Sequence, residues 1–230
     1  VALRRIAEQS FHFVWSTHHL YIDGWSWPVV FKDLSQAYAA LADGRPPATP
    51  DALPYGTYVQ WLAESAPPSE AFWKQQLAGF SSPTPLRLGT RAAPEPVLTQ
   101  APAFAEVTLH LPAQTSSALQ AQARTLHTTL SAMFNAAWAL LLAHYSNAER
   151  IVFGAAFSGR PAELTGIESL VGPCVNNLPV CVDVDPTQPL ATWLARLQQR
   201  QFEIGEHQYA PLEQIQQWAE VPWRHRLFDS

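Results

Sequence analysis

Phe11-His12-Phe13-Val14-Trp15 is an apolar and aromatic segment, and it predicts a buried strand. A helical pattern follows over 28–41. Val30, Leu34 and Tyr38 recur every fourth position, Phe31 and Leu41 widen the stripe, and Pro28 lies in the first turn with Ser26 as candidate N-cap. Asp43-Gly44-Arg45-Pro46-Pro47 ends it. A short helix is expected over 55–62, its aromatic face filling core space, and a third over 69–77 with Phe72, Trp73 and Leu77. A proline-rich link begins at 81–85, and residues 94–102, holding Pro94, Pro96 and Pro102 without periodicity, mark a break in the chain.

Beyond the break, Phe104, Val107 and Leu109 predict a strand. Helices follow over 114–126 and 131–145. The second presents Met133, Phe134, Ala137, Trp138, Leu141 and Tyr145 on one broad face, expected to be buried. Residues 151–157 read as a buried strand running into Ser158-Gly159-Arg160-Pro161. Val180, Val182 and Val184 alternate with Cys181, Asp183 and Asp185, as in an edge strand. A helix is expected over 190–206 with Trp193, Leu194 and Leu197, and Pro211 opens another.

Composition narrows the class. The chain has 230 residues, 47% of them hydrophobic, with nine tryptophans, enough for a core. Its formal net charge of -5 and pI near 5.9 give no basic footprint for nucleic acid. Lys32 and Lys74 are the only lysines, so arginine carries the cationic contacts. Cys174 and Cys181, seven residues apart, do not form a metal motif and are too distant to bridge on one extended segment; small buried thiols in a reducing compartment are expected. With no signal peptide or 18-residue apolar run, a cytoplasmic location is expected. The abrupt ends, Val1-Ala2-Leu3 and Leu227-Phe228-Asp229-Ser230, suggest an excised segment.

The candidate chemistry sits where the first strand gives way to the first helix: His18-His19-Leu20-Tyr21-Ile22-Asp23-Gly24-Trp25-Ser26. On extended backbone the two imidazoles point apart, so one can lock the backbone while the other faces a cleft. Asp23 needs a cation or several donors to stay charged in a confined site. Gly24 allows a tight bend that a side chain would obstruct. Neighbouring strand residues diverge and no further ligand pair follows, so no metal is expected.

HHLYIDG followed by Trp-Ser resembles the His-His-x-x-x-Asp-Gly motif of condensation domains of nonribosomal peptide synthetases, within the chloramphenicol-acetyltransferase-like superfamily. Further stretches match in order. They are Tyr55-x-x-Tyr58-x-x-Trp61, Gly154 through Arg160, Gly172-Pro173-Cys174-Val175-Asn176-Asn177-Leu178-Pro179, His207-Gln208-Tyr209-Ala210-Pro211-Leu212-Glu213, and Arg226-Leu227-Phe228-Asp229. Pro173, Cys174 and Asn177 depart from the family pattern, as does Leu212 for phenylalanine.

The resemblance implies an α/β, two-layer sandwich fold with two lobes and a tunnel between them. The first lobe (1–93) would be incomplete, 94–102 the link, and 103–230 a second lobe cut short at its end. It implies amide formation between a donor thioester and the α-amine of an acceptor. Both would be carried on 4'-phosphopantetheine arms of upstream and downstream peptidyl carrier domains, beside an adenylation domain, with no directly bound cofactor, nucleic acid or membrane. His19 would be the reacting group, as a base or as a positioning group; His18 and Asp23 would hold the geometry, and Gly24 would leave room for the acceptor arm. Asp23 would pair with Arg160 across the lobes, bidentately. Trp25, Ser26, Ser158 and Asn176 would line the tunnel, and His207 would serve structure. An epimerization domain, a non-catalytic docking relative and a free-standing acyltransferase are the alternatives.

Overall fold

The computed structural model describes residues 1–49, 51–80, 83–84, 106–219, 221 and 226–230. The expected link at 94–102 lies outside these residues. The fold is mixed α/β, and the chain divides into two compact units. The first holds 1–67 and 156–176, the second 68–155 and 177–230, so the units do not follow chain order.

The first unit opens with a hairpin. β1 (Ala2–Ala7) pairs antiparallel with β2 (Ser10–Val14), Leu3 opposite Phe13 and Arg5 opposite Phe11, with a bulge between Arg5 and Ala7. Sequence patterning misses β1, whose alternation Arg4-Arg5 interrupts. It also predicts that β2 is buried, yet every residue of both strands is exposed, Phe11 at 54% and Phe13 at 44%. Among the described residues the pair forms a ribbon of two strands, which has no second layer to cover it.

α1 (Ser26–Ala42) follows. Its buried positions are Ser26 and Ala40, while Leu34, Tyr38 and Leu41 are exposed, so the expected aromatic and aliphatic stripe faces away from the packed side. Ser26 is the first helical residue rather than the cap; Asp23 instead accepts its N–H. α2 (Tyr55–Ser65) buries Tyr58 against Leu170 and Cys174, with Leu53, Leu62, Leu164 and Ile167 around them.

The second unit holds α3 (Glu70–Gln76), α4 (Ala113–Thr125), α5 (Leu130–Ser146), α6 (Leu190–Glu206) and α7 (Leu212–Trp218). β3 (Arg150–Phe157) pairs with β4 (Asn176–Asp183); the ends of these strands carry the chain into and out of the first unit. Ile151, Val152 and Phe153 are buried as expected. β4 is buried from Leu178 to Val182 on both faces rather than alternating, and it stops at Asp183.

Val107 and Leu109 are exposed and lie in no strand; Phe104 is outside the described residues. In α5 the buried positions are Ala132, Ala136, Ala139 and Leu142, whereas Phe134, Trp138, Leu141 and Tyr145 are exposed. Small residues allow close packing, and three alanines with Leu142, rather than the aromatic side chains, form the inner face. α6 begins and ends at the expected residues and buries Trp193, Leu194, Leu197 and Ile204. The His207 ring stacks on Phe72 at 4.1 Å, and its Nδ1 lies 3.2 Å from the Ser69 hydroxyl. Cys174 and Cys181 are both free and buried.

Candidate active site

The strand that ends at Val14 leads into a turn. The N–H of Tyr21 donates to the carbonyl of His18 at 3.0 Å, so the backbone is not extended through this segment. His18 Nδ1 accepts the N–H of Leu20 at 3.0 Å, which in the neutral ring leaves the proton on Nε2. His18 thus holds the local backbone by this bond from an exposed position. His19 is also exposed, and its imidazole makes no hydrogen bond among the described residues.

Asp23 is the buried centre, 1% exposed. Its Oδ1 accepts the Ser26 N–H at 3.0 Å, the Ser26 hydroxyl at 2.7 Å and Arg160 Nη2 at 3.2 Å. Oδ2 accepts the Cys174 N–H at 3.0 Å. Burial alone would raise the Asp23 pKa. The Cys174 N–H, the Ser26 hydroxyl, the Arg160 charge and the Ser26 N–H together outweigh it and hold the carboxyl below its ordinary value. Ser26 Oγ, itself fully buried, also accepts the Gly172 N–H at 3.1 Å and lies 3.2 Å from the Gly172 carbonyl oxygen.

Arg160 does not meet Asp23 with a two-nitrogen fork. Nη2 alone reaches the carboxylate, at 3.2 and 3.5 Å, while Nη1 donates to the carbonyls of Ile167 and Leu170, each at 3.0 Å. Arg160 Nε is buried without a partner among the described residues. The guanidinium is divided because it sits inside the loop it organises, around the short 3-10 turn Ile167–Ser169. Both members of the pair lie in the first unit, so the contact ties that loop to the start of α1 within one unit.

Gly24 does not need to be glycine for its bend. It is not among the positive-φ residues, and a Cβ there would meet nothing within 4 Å. Trp25 is 62% exposed. Ser158 is half-buried and its hydroxyl oxygen accepts the Arg160 N–H at 3.4 Å; Asn176 is half-buried at the first position of β4. The structure thus brings Asp23, Ser26, Ser158 and Arg160 into one network and leaves the His19 and Trp25 side chains exposed.

Sequence reasoning misses four contributors. Tyr58 donates its hydroxyl to the Gly159 carbonyl at 2.8 Å, and Tyr55 donates to the Pro173 carbonyl at 2.9 Å. Gly159 has φ of +65°, and a Cβ on it would lie 1.7 Å from the Cys174 carbonyl oxygen. A Cβ on Gly172 would lie 2.2 Å from the Tyr55 ring. The aromatic spacing of α2 is visible in the sequence, but packing and hydroxyl chemistry share that signal.

Known proteins share both the sequence and the fold. The family described as the condensation domain matches residues 1–230. A linear gramicidin synthase protein of Brevibacillus parabrevis is 40% identical over 229 residues, 99% of this chain and 3% of that protein. Chondramide synthase cmdD of Chondromyces crocatus is 41% identical over 233 residues, 99% of this chain and 6% of that protein. The chain therefore spans a small part of the curated relatives it matches. A solved first condensation domain of the calcium-dependent antibiotic synthetase, in complex with substrate analogue 3a, shares the fold with a TM-score of 0.69. It is 20% identical, over 86% of this chain and 43% of that one.

Proposed function

Because the chain belongs to the condensation-domain family, we propose that it forms amide bonds as part of a nonribosomal peptide synthetase. The donor is an acyl or peptidyl thioester and the acceptor an α-amine, both carried on phosphopantetheine arms of carrier domains. In this reading the acceptor nitrogen attacks the thioester carbonyl carbon. The C–N bond forms, the C–S bond breaks, and the donor's thiol leaves with a proton. Two lobes would enclose a tunnel, through which the arms approach from opposite sides.

The observation that supports this assignment of roles is the saturation of Asp23. Four donors occupy its carboxylate, so it braces the turn rather than taking a proton. His18 Nδ1 is likewise occupied. His19 is the motif side chain with both ring nitrogens available among the described residues. An α-amine has a pKa of about 7.7–8.0, so much of it is neutral near pH 7.5 without a base. His19 then orients the amine and takes its proton as the C–N bond forms.

The test is the full synthetase module with both carriers loaded. His19→Ala is expected to abolish most amide product while melting like the parent. Undiminished product from that variant removes His19 from the reaction. In deuterated water, exchange at Cα of a single loaded carrier without amide product overturns condensation in favour of epimerization.

A further inference from the structure

We infer that Tyr55 and Tyr58 form a hydroxyl clamp that positions Asp23, and through it the histidine turn. The two residues lie one turn apart on α2, so their rings project to the same side, with centroids 5.7 Å apart. Each hydroxyl holds one end of a single loop. Tyr58 binds the carbonyl of Gly159, immediately before Arg160; Tyr55 binds the carbonyl of Pro173, immediately before Cys174. Arg160 and Cys174 are the two residues of that loop that donate to Asp23. The clamp therefore acts at the residues adjoining both donors.

The loop closes tightly between these points. The Gly159 and Cys174 backbones approach so closely that no side chain fits at 159, and Gly172 is in similar contact with the Tyr55 ring. Tyr58 is 4% exposed, which makes its hydroxyl bond costly to leave unmade. Tyr55, 36% exposed, has water as an alternative partner, so its share is smaller. Asp23 in turn fixes the start of α1 through the Ser26 N–H and hydroxyl, three residues after itself and directly beyond the turn that carries His18 and His19. A clamp made of hydroxyls differs from one made of rings. Removing the oxygen alone leaves the packing against Leu170 and Cys174 in place.

Two measurements on the full synthetase module test this, with Tyr58→Phe, Tyr55→Phe and, as control, Tyr38→Phe on the exposed side of α1. The first, hydrogen exchange, does not depend on the proposed reaction. In Tyr58→Phe the amides of Gly172, Cys174, Leu20 and Tyr21 are expected to exchange about five- to tenfold faster, with the later turns of α1 unchanged and the melting temperature lowered by only a few degrees. Unchanged exchange at Cys174 and Leu20, or acceleration spread evenly over the unit, overturns the clamp. The second rests on the condensation reading: kcat for amide formation falls about five- to tenfold in Tyr58→Phe, less in Tyr55→Phe, with KM for both carriers unchanged. Combining Tyr58→Phe with Ser26→Ala costs less than the product of the single losses, since both act through Asp23. A parent that makes no amide sinks the condensation reading and leaves the exchange result to decide the clamp. An active parent with full kcat in Tyr58→Phe sinks the clamp's catalytic part alone.

Discussion

The backbone N–H of Cys174 donates to the Asp23 carboxylate at 3.0 Å across 151 positions of sequence. This bond and the Arg160 contact close a loop onto the helix start that follows the histidine pair. Asp23 thus acts at a fold junction as much as at a site. Its charge is stabilised by groups from both sides of that junction, and losing any one leaves the others buried and mispaired.

Truncation of either partner should therefore cost stability. Asp23→Ala strands a guanidinium that is 9% exposed, and Arg160→Ala strands a carboxylate that is 1% exposed. Breaking such a buried pair costs about 3–5 kcal/mol, a large part of a domain's margin. Arg160→Lys should recover little, because one ammonium cannot serve the carboxylate and also the carbonyls of Ile167 and Leu170. Urea unfolding of the full module, followed at this domain, checks both. Parent-like midpoints for Asp23→Ala or Arg160→Ala would remove the structural role.

Acid stability follows from the same carboxylate. The folded-state pKa of Asp23 lies below its ordinary value of 3.8. A depressed pKa contributes stability that is present above the unfolded value and lost as pH falls through the folded one. The parent should hold its full contribution down to about pH 4–5 and lose it progressively below. Asp23→Asn should start less stable at neutral pH, and its stability should vary less with pH in that acid window. Unfolding free energies of both proteins from about pH 6 down to about pH 2.5 provide the comparison. Parallel curves would mean that Asp23 does not supply the dependence.

The neighbouring thiol shows the opposite sign. Burial pushes the Cys174 thiol up to about 11, with Asp23 adding to the rise and Arg160 and Tyr58 opposing it. From an ordinary 9.0 this lowers the thiolate fraction near pH 8 by about a hundredfold. Cys174 should therefore resist iodoacetamide in the folded module at about pH 8 and react on unfolding, as peptide mass spectrometry can show. A raised pKa stabilises the fold below the unfolded value, and that contribution fades as pH rises from about 9 through 11. Rapid labelling of native Cys174 would contradict its burial beside the clasp.

The sequence is legible where one signal has one cause. The helix over 190–206 has a narrow apolar stripe, and Trp193, Leu194 and Leu197 lie inside as that stripe predicts. Residues 151–157 are apolar throughout and form a buried strand start. The faces of α1 and α5 defeat the pattern, which assigns the largest side chains to the inner side. In both helices the buried positions are mostly alanine or serine, joined by Leu142 in α5, and the aromatic residues Phe31, Tyr38, Phe134, Trp138 and Tyr145 are exposed. Of Asp23's partners, Arg160 is visible only through the family resemblance, since nothing in spacing links positions 23 and 160, and the Ser26 and Cys174 donors have no sequence signal. The tyrosine hydroxyls have no sequence signal separate from their rings.

Gly24 and Gly159 both sit in matched motif stretches, and the structure separates their reasons. At Gly159 the backbone is left-handed, at φ of +65°, and a Cβ would overlap the Cys174 carbonyl. The left-handed strain alone costs about 1–2 kcal/mol. The clash adds to it, because the obstructing atom is backbone held by the bond from Cys174 to Asp23. Gly159→Ala should therefore destabilise the domain by more than ~2 kcal/mol and weaken the Tyr58 bond to residue 159. At Gly24 there is no such obstacle, so Gly24→Ala should lie within about 0.5 kcal/mol of the parent. If Gly24 serves the passage of an acceptor arm, Gly24→Leu in the loaded module should raise the acceptor's KM or lower amide yield while the melting temperature holds. Equal product from Gly24→Leu would place the passage elsewhere. A destabilised Gly24→Ala would show that this glycine serves the turn after all.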